Sequence, residues 1–140
     1  MNYYLRLATE ADLELLDRIH TENMKGYVEQ IYPWNPTLFI DNFVAEQYQV
    51  IKVNNCIAGF VKIVISQSDL YLGELQIVSP YQNKGIGSSI IENLIRQAKE
   101  DNQRLWLRVI KNNPALKLYR RLGFTVFETS HTHLKLEIKL

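Results

Sequence analysis

The stretch Ile77-Val78-Ser79-Pro80-Tyr81-Gln82-Asn83-Lys84-Gly85-Ile86-Gly87-Ser88-Ser89 constrains this chain more than any other. It passes from an apolar strand end through a turn with two glycines into a segment where Ile86, Ile90, Ile91, Leu94, Ile95 and Ala98 recur at helical spacing. Strand, glycine turn and helix N-terminus together make an anion cradle. The first N–H groups of a helix have no acceptor within it and point at whatever precedes it. Gly85 and Gly87 let a phosphate approach the backbone without meeting a side chain, and Lys84 adds a cation. The same two glycines also serve if they only shape a strand-to-helix turn. A Walker loop is excluded because Lys84 precedes both glycines, and the pattern is not Gly-x-Gly-x-x-Gly either.

The rest of the chain interleaves strands and helices. Thr9 before Glu10-Ala11-Asp12, followed by Leu13, Leu16 and Ile19 at helical spacing, predicts a first helix over about Thr9–Asn23. Pro33 and Pro36 forbid a continuous helix through the aromatic stretch Gly26–Thr37, and a second helix is expected from Pro36-Thr37 to about Glu46. Asn54-Asn55 between Val50–Val53 and Cys56–Ile65 is a hairpin signal, and Asp69–Val78 supplies the next strand. Leu105–Ile110 reads as a strand, Pro114–Leu122 as a short helix capped by Asn113, and Thr125–Thr129 and His133–Leu140 as closing strands. Hairpins dominate the middle and the end, so a mixed, mostly antiparallel sheet with helices on both sides is expected rather than a doubly wound parallel one.

Composition narrows the partners. The chain has 140 residues, 46% of them hydrophobic and 22% charged, which suits a single domain over 1–140. With 16 Lys+Arg against 15 Asp+Glu, the net charge of +1 provides no field to draw the chain to nucleic acid or anionic lipid. The start lacks the pattern of a signal peptide and no apolar run is long enough to span a bilayer, so the cytoplasm is the expected location. Cys56, the one cysteine, excludes an internal disulfide, and its neighbours Ile57, Ala58 and Phe60 predict a buried strand position. His20, His131 and His133 lack ligand spacing, so no metal site is expected.

Gln82-x-x-Gly85-x-Gly87 resembles the Gln/Arg-x-x-Gly-x-Gly/Ala signature of the GNAT superfamily of N-acetyltransferases. A second pattern follows in order. Asn113-Pro-Ala115-Leu-Lys-Leu-Tyr119-Arg-Arg-Leu-Gly123-Phe124 is similar to the family's Asn-x-Ala-x-x-x-Tyr-x-x-x-Gly-Phe stretch, and Leu105-Trp-Leu-Arg-Val109 resembles the strand that splays from its neighbour to admit the cofactor. The resemblance implies a GNAT-like central sheet of about six or seven strands with that splayed pair.

It also implies acetyl-CoA as cofactor and direct acetyl transfer to a primary amine of a small molecule or protein. Carried over by position, the pyrophosphate would lie on the backbone of Gln82, Asn83, Lys84, Gly85, Ile86, Gly87 and Ser88. The pantetheine arm would pair with Ile77, Val78 and Ser79, and Asn113 would reach the cofactor. Tyr119 matches the usual proton donor to the departing thiolate; a phenol stays protonated at neutral pH. Strand alternation puts Glu74, Gln76 and Val78 on one face, and Glu74 is the candidate general base, unless it is merely solvated or ion-paired. Ribosomal-protein acetyltransferases carry a glutamate where this chain has Arg108, so that base is not carried over; Arg108 is free to pair with Glu74 or an acidic substrate. Tyr27, Tyr32 and Trp34 would form an apolar or cation-binding wall for the amine, or simply cover the core. A CoA-binding sensor without chemistry is the competing reading, and an exposed edge on the final strand would allow a homodimer.

Overall fold

The computed structural model describes residues 1–138. Seven strands form one sheet in the order β1-β2-β3-β4-β5-β7-β6. They are β1 (Tyr4–Leu7), β2 (Tyr48–Val53), β3 (Cys56–Ile65), β4 (Asp69–Ile77), β5 (Arg104–Ile110), β6 (Thr125–Thr129) and β7 (His133–Ile138). The helices are α1 (Leu13–Val28), α2 (Leu38–Asp41), α3 (Ile86–Glu100) and α4 (Leu116–Arg121). The sheet is mixed and mostly antiparallel, with β4 and β5 as its one parallel pair among the described strands, as the hairpin-rich pattern predicts. Among the described residues no helix is long and apolar enough to cross a membrane.

The chain divides into two compact units, Met1–Lys62 with Glu74–Ile86, and Ile63–Gly73 with Gly87 onward. In the first, Leu16 and Ile19 of α1 are buried with Phe39 of α2, Tyr48 and Val50 of β2, and Phe60 of β3. Full burial of aliphatic and aromatic side chains of this size contributes about 1.5–3 kcal/mol each. That apolar stripe fixes which face of α1 turns inward, and His20, four residues after Leu16, lies along it. Helix α1 runs to Val28, past the expected Asn23, because Met24 and Lys25 favour helix and Gly26 meets no steric obstacle. The second helix is a single turn. Asn42 Nδ2 donates to the Leu38 carbonyl at 3.0 Å, Val44 is extended, and a 3₁₀ turn follows at Ala45–Gln47.

The hairpin forms as expected, with Asn54 left-handed at φ 55. Its register shifts between Ile51 and Lys52, which face Gly59 and Ile57, so Ala58 is the extra residue of a bulge. Cys56 corrects its expectation: as the first residue of β3, beside the turn, it is exposed. Its thiol hydrogen-bonds Tyr81 and pushes that phenol's pKa up.

In the second unit, β5 pairs in parallel with β4 from Asp69↔Arg104 to Leu72↔Leu107 and antiparallel with β7 from Leu105↔Ile138 to Ile110↔His133. Strand β7 is internal and the edge belongs to β6, which corrects the expected edge on the final strand. The expected extension of that strand to Lys139 and Leu140 lies outside the described residues. Glu137 is also buried although the alternation assigns it to the wet face, because Arg104 reaches it at 3.4 Å while holding Asp69 at 3.2 Å.

Candidate active site

The glycine turn has the geometry that its composition demands. After the short 3₁₀ turn Ser79–Tyr81, Asn83 (φ 61) and Gly85 (φ 86) are both left-handed, and α3 begins at Ile86. A Cβ added at Gly85 would meet nothing within 4 Å, so the glycine is there for its backbone angle, and the space beside it is open. Open space at the N-terminus of a fifteen-residue helix fits an anionic group such as a pyrophosphate. Gln82 is committed elsewhere. Its N–H donates to the Ser79 carbonyl at 3.2 Å, and its Nε2 donates to the Ile77 carbonyl at 2.8 Å. Gln82 therefore braces the turn.

The backbone of the expected pantetheine segment is partly occupied. Val78 donates to the Ala58 carbonyl at 2.8 Å and accepts from Tyr81, while the Ile77 carbonyl accepts from both Gln82 and Asn23.

Helix α1 and strand β4 meet through polar side chains. His20 Nδ1 lies 2.5 Å from Glu74 Oε1, and Gln76 Nε2 donates to the same oxygen at 3.3 Å. Asn23, one helical turn after His20, donates to Gln76 Oε1 at 3.2 Å and to the Ile77 carbonyl at 3.0 Å. His20 and Glu74 keep 21% and 16% of their side-chain surface exposed, which leaves the pair reachable. Phe39 stacks on the His20 ring at 4.8 Å between centroids, and half-buried Trp34 stands 5.5 Å away. Buried Tyr48 belongs to the same neighbourhood; desolvation first, and the Glu74 charge second, raise its pKa.

Of the residues singled out from sequence, Glu74 and Trp34 thus come together on His20. Tyr27 lies seven residues beyond His20 on α1, half-buried. Glu74 has His20 as its ion-pair partner rather than Arg108, whose charge acts instead on His133. Sequence reasoning set His20 aside as a non-ligand. The missed signal was its place four residues after Leu16 on the inward stripe of α1, where an unpartnered imidazole would be costly.

The second unit carries the other motif. Asn113 Oδ1 accepts from the Ala115 N–H at 2.9 Å and so shapes the turn before α4, which starts at Leu116 with Ala115 as its N-cap instead of the expected Asn113. Tyr119 is 8% exposed and packs edge-on to Phe124 at 5.9 Å. Gly123, at φ 104, ends the segment as the expected left-handed stop. Among the described residues no group of His, Cys, Asp and Glu is placed to hold a metal ion.

A mixed seven-stranded sheet whose fourth strand leads through a glycine turn into an open helix N-terminus makes an α/β protein with a site suited to an anionic group. The chain belongs to the acetyltransferase (GNAT) family, whose model matches residues 12–124. It is an N-acetyltransferase. It is 27% identical over 139 residues to the probable N-acetyltransferase san of Drosophila melanogaster, covering 91% of this chain and 76% of that protein. It is 34% identical over 99 residues to the [ribosomal protein bS18]-alanine N-acetyltransferase of Haemophilus influenzae, covering 67% and 66%. Among solved structures, the PaiA N-acetyltransferase of Thermoplasma acidophilum in complex with coenzyme A superposes with a TM-score of 0.80 at 19% identity over the whole of both chains. Naa50 of Arabidopsis thaliana, in complex with the bisubstrate analogue CoA-Ac-MVNAL, gives 0.73 at 18% identity, also over both chains entire.

Proposed function

We propose that this acetyltransferase moves the acetyl group of acetyl-CoA directly to the primary amine of a protein or peptide acceptor. The observation that carries the donor half is the left-handed pair Asn83 and Gly85 opening onto α3. The acceptor half draws on the relatives: the Haemophilus influenzae protein is named for acetylating a ribosomal protein, and the Naa50 complex holds a peptide-based analogue.

The backbone from Asn83 to Ser88 holds the pyrophosphate, helped by Lys84 and the α3 dipole. Ile77, Val78 and Ser79 flank the pantetheine arm, and Asn113 keeps its amide nitrogen for the cofactor while its oxygen holds Ala115. The amine nitrogen attacks the thioester carbonyl, a C–N bond forms, the C–S bond breaks, and Tyr119 protonates the sulfur. Glu74, paired with His20, belongs to the acid–base group that receives the proton the acceptor gives up. Trp34 and Tyr27 line the acceptor's approach.

The test is acetyl-CoA turnover, read as free thiol, against peptides of varied N-terminus and a panel of small amines, beside calorimetric CoA binding. Peptide-dependent turnover that falls about 10²-fold or more in Tyr119→Phe, with CoA affinity kept, is the expected result. CoA binding without turnover on any acceptor would favour a sensor, and turnover on small amines alone would reassign the acceptor.

A further inference from the structure

From the surroundings of His20 we infer that its Nε2 is the atom that takes the proton from the acceptor amine, with Glu74 as the residue that orients it. The inference rests on the acetyl-transfer reading above and deepens its acid–base half. Glu74 Oε1 already receives both His20 Nδ1 and Gln76 Nε2. With the carboxylate ionised, Nδ1 carries the ring proton and donates it to Glu74, which leaves Nε2 with its lone pair free for a proton acceptor's role. Gln76 in turn accepts from Asn23, so the carboxylate is held by a chain of side chains that begins one turn further along α1. Phe39 stacked on one side and Trp34 nearby fix the plane of the ring without competing for its nitrogens. A carboxylate that sets an imidazole's tautomer and orientation while the other ring nitrogen meets the substrate is a general solution for a base near neutrality.

The groups facing His20 are accounted for by element. From β4 come Glu74 and neutral Gln76, from α2 and the segment before it the uncharged Phe39 and Trp34, and from β2 Tyr48, which burial keeps protonated. Glu74, in contact with Nδ1, is thus a charge that can stabilise an imidazolium here, beside Asp17 three residues earlier on α1. The acceptor arrives as an ammonium and gives one proton to Nε2, which releases it to solvent. The neutral nitrogen forms the C–N bond, the C–S bond breaks, and the sulfur takes a proton from Tyr119. The nitrogen's surplus proton restores the phenol. One acetyl group moves, one thiol forms and one proton is released per turnover.

The decisive variants are His20→Gln, which keeps a polar group between the aromatic rings, and His20→Ala, which opens room for added imidazole. Each is measured for thiol release across pH on the best wild-type acceptor and for CoA binding. We expect both to keep CoA affinity within about twofold while kcat falls roughly 10²–10⁴-fold. His20→Gln should lose the rise of kcat/KM through the range where imidazole deprotonates, and added imidazole should restore His20→Ala at least tenfold. If wild-type enzyme turns over while His20→Gln keeps its kcat and pH profile, or if imidazole leaves His20→Ala unrescued, His20 is a packing residue and the inference falls alone. If wild-type enzyme turns over no acceptor, the acetyl-transfer reading falls and takes this one with it.

Discussion

Gly59 lies so close to Gln76 that a Cβ on it would stand 2.0 Å from the Gln76 carbonyl oxygen. Only a glycine lets β3 approach the end of β4 in this way, and Gln76 is the residue through which Asn23 braces Glu74. Gly59→Ala therefore has to displace backbone, not a flexible side-chain tip. The expected loss is about 1–3 kcal/mol of stability by urea denaturation. Because the displaced carbonyl adjoins the segment expected to meet pantetheine, weaker CoA binding by calorimetry should accompany it. A variant with unchanged denaturation midpoint would show that β3 and β4 have slack here.

Gly85 presents the opposite case. Its Cβ would meet nothing, yet its φ of 86 is one that side chains rarely adopt. Gly85→Ala should cost about 1–2 kcal/mol from backbone conformation alone. If the chain instead relaxes the turn to avoid that strain, the N–H groups ahead of α3 turn away from the anion. Thermal melts with and without CoA separate the two: strain alone lowers both melting points equally, whereas a relaxed turn also shrinks the stabilisation that CoA brings.

Most of the frame was legible because local rules and burial agreed. Asn54-Asn55, Gly85 and Gly123 occupy the turn and stop positions that their chemistry suggests, and the α3 stripe of Ile86, Ile90, Ile91 and Leu94 is buried throughout. Departures came where tertiary partners overrode pattern. Glu137 is buried because Arg104 reaches it, and Cys56 is exposed because it begins a strand beside a turn. The His20–Glu74 pair joins residues 54 apart, so no spacing rule links them. Alternation did mark Glu74 as an acid on an unexpected face, and what it could not supply was the helix residue opposite.

His133 should respond to Arg108. Burial first, and the Arg108 charge second, hold the His133 pKa below its usual value of 6.5. Arg108→Gln removes only the second cause, so the His133 pKa should rise while staying below 6.5, read from its ring shifts by NMR titration. A native pKa below the unfolded one means that stability present above about pH 6.5 is lost as pH falls through the native value. The variant should lose less stability between pH 7 and the acid side of that transition than the wild type. An unmoved His133 titration would leave burial as the sole cause.

Arg6 and Asp12 tie β1 to the turn that launches α1. Both terminal guanidinium nitrogens of Arg6, Nη1 and Nη2, donate to the carboxylate at 2.9 Å, and the Thr9 N–H donates to Asp12 Oδ2 at 2.8 Å. The Arg6 hydrogen bonds are the largest cause, and the Thr9 N–H a lesser one, of an Asp12 pKa held below the usual 3.8. Arg6 keeps 40% of its side chain in water, so solvent screening limits the pair to about 1 kcal/mol. A depressed carboxylate adds stability that is full above its unfolded pKa and vanishes as pH drops through its native one. Asp12→Asn should therefore be less stable than wild type by about 1 kcal/mol at pH 7, with the gap closing as pH falls below 3.8 through the native value. Urea denaturation at neutral pH and at a series of acid pH values below 3.8 provides the comparison. A gap that persists undiminished into acid would mean that Asp12 acts through shape and its hydrogen bond from Thr9, not through charge.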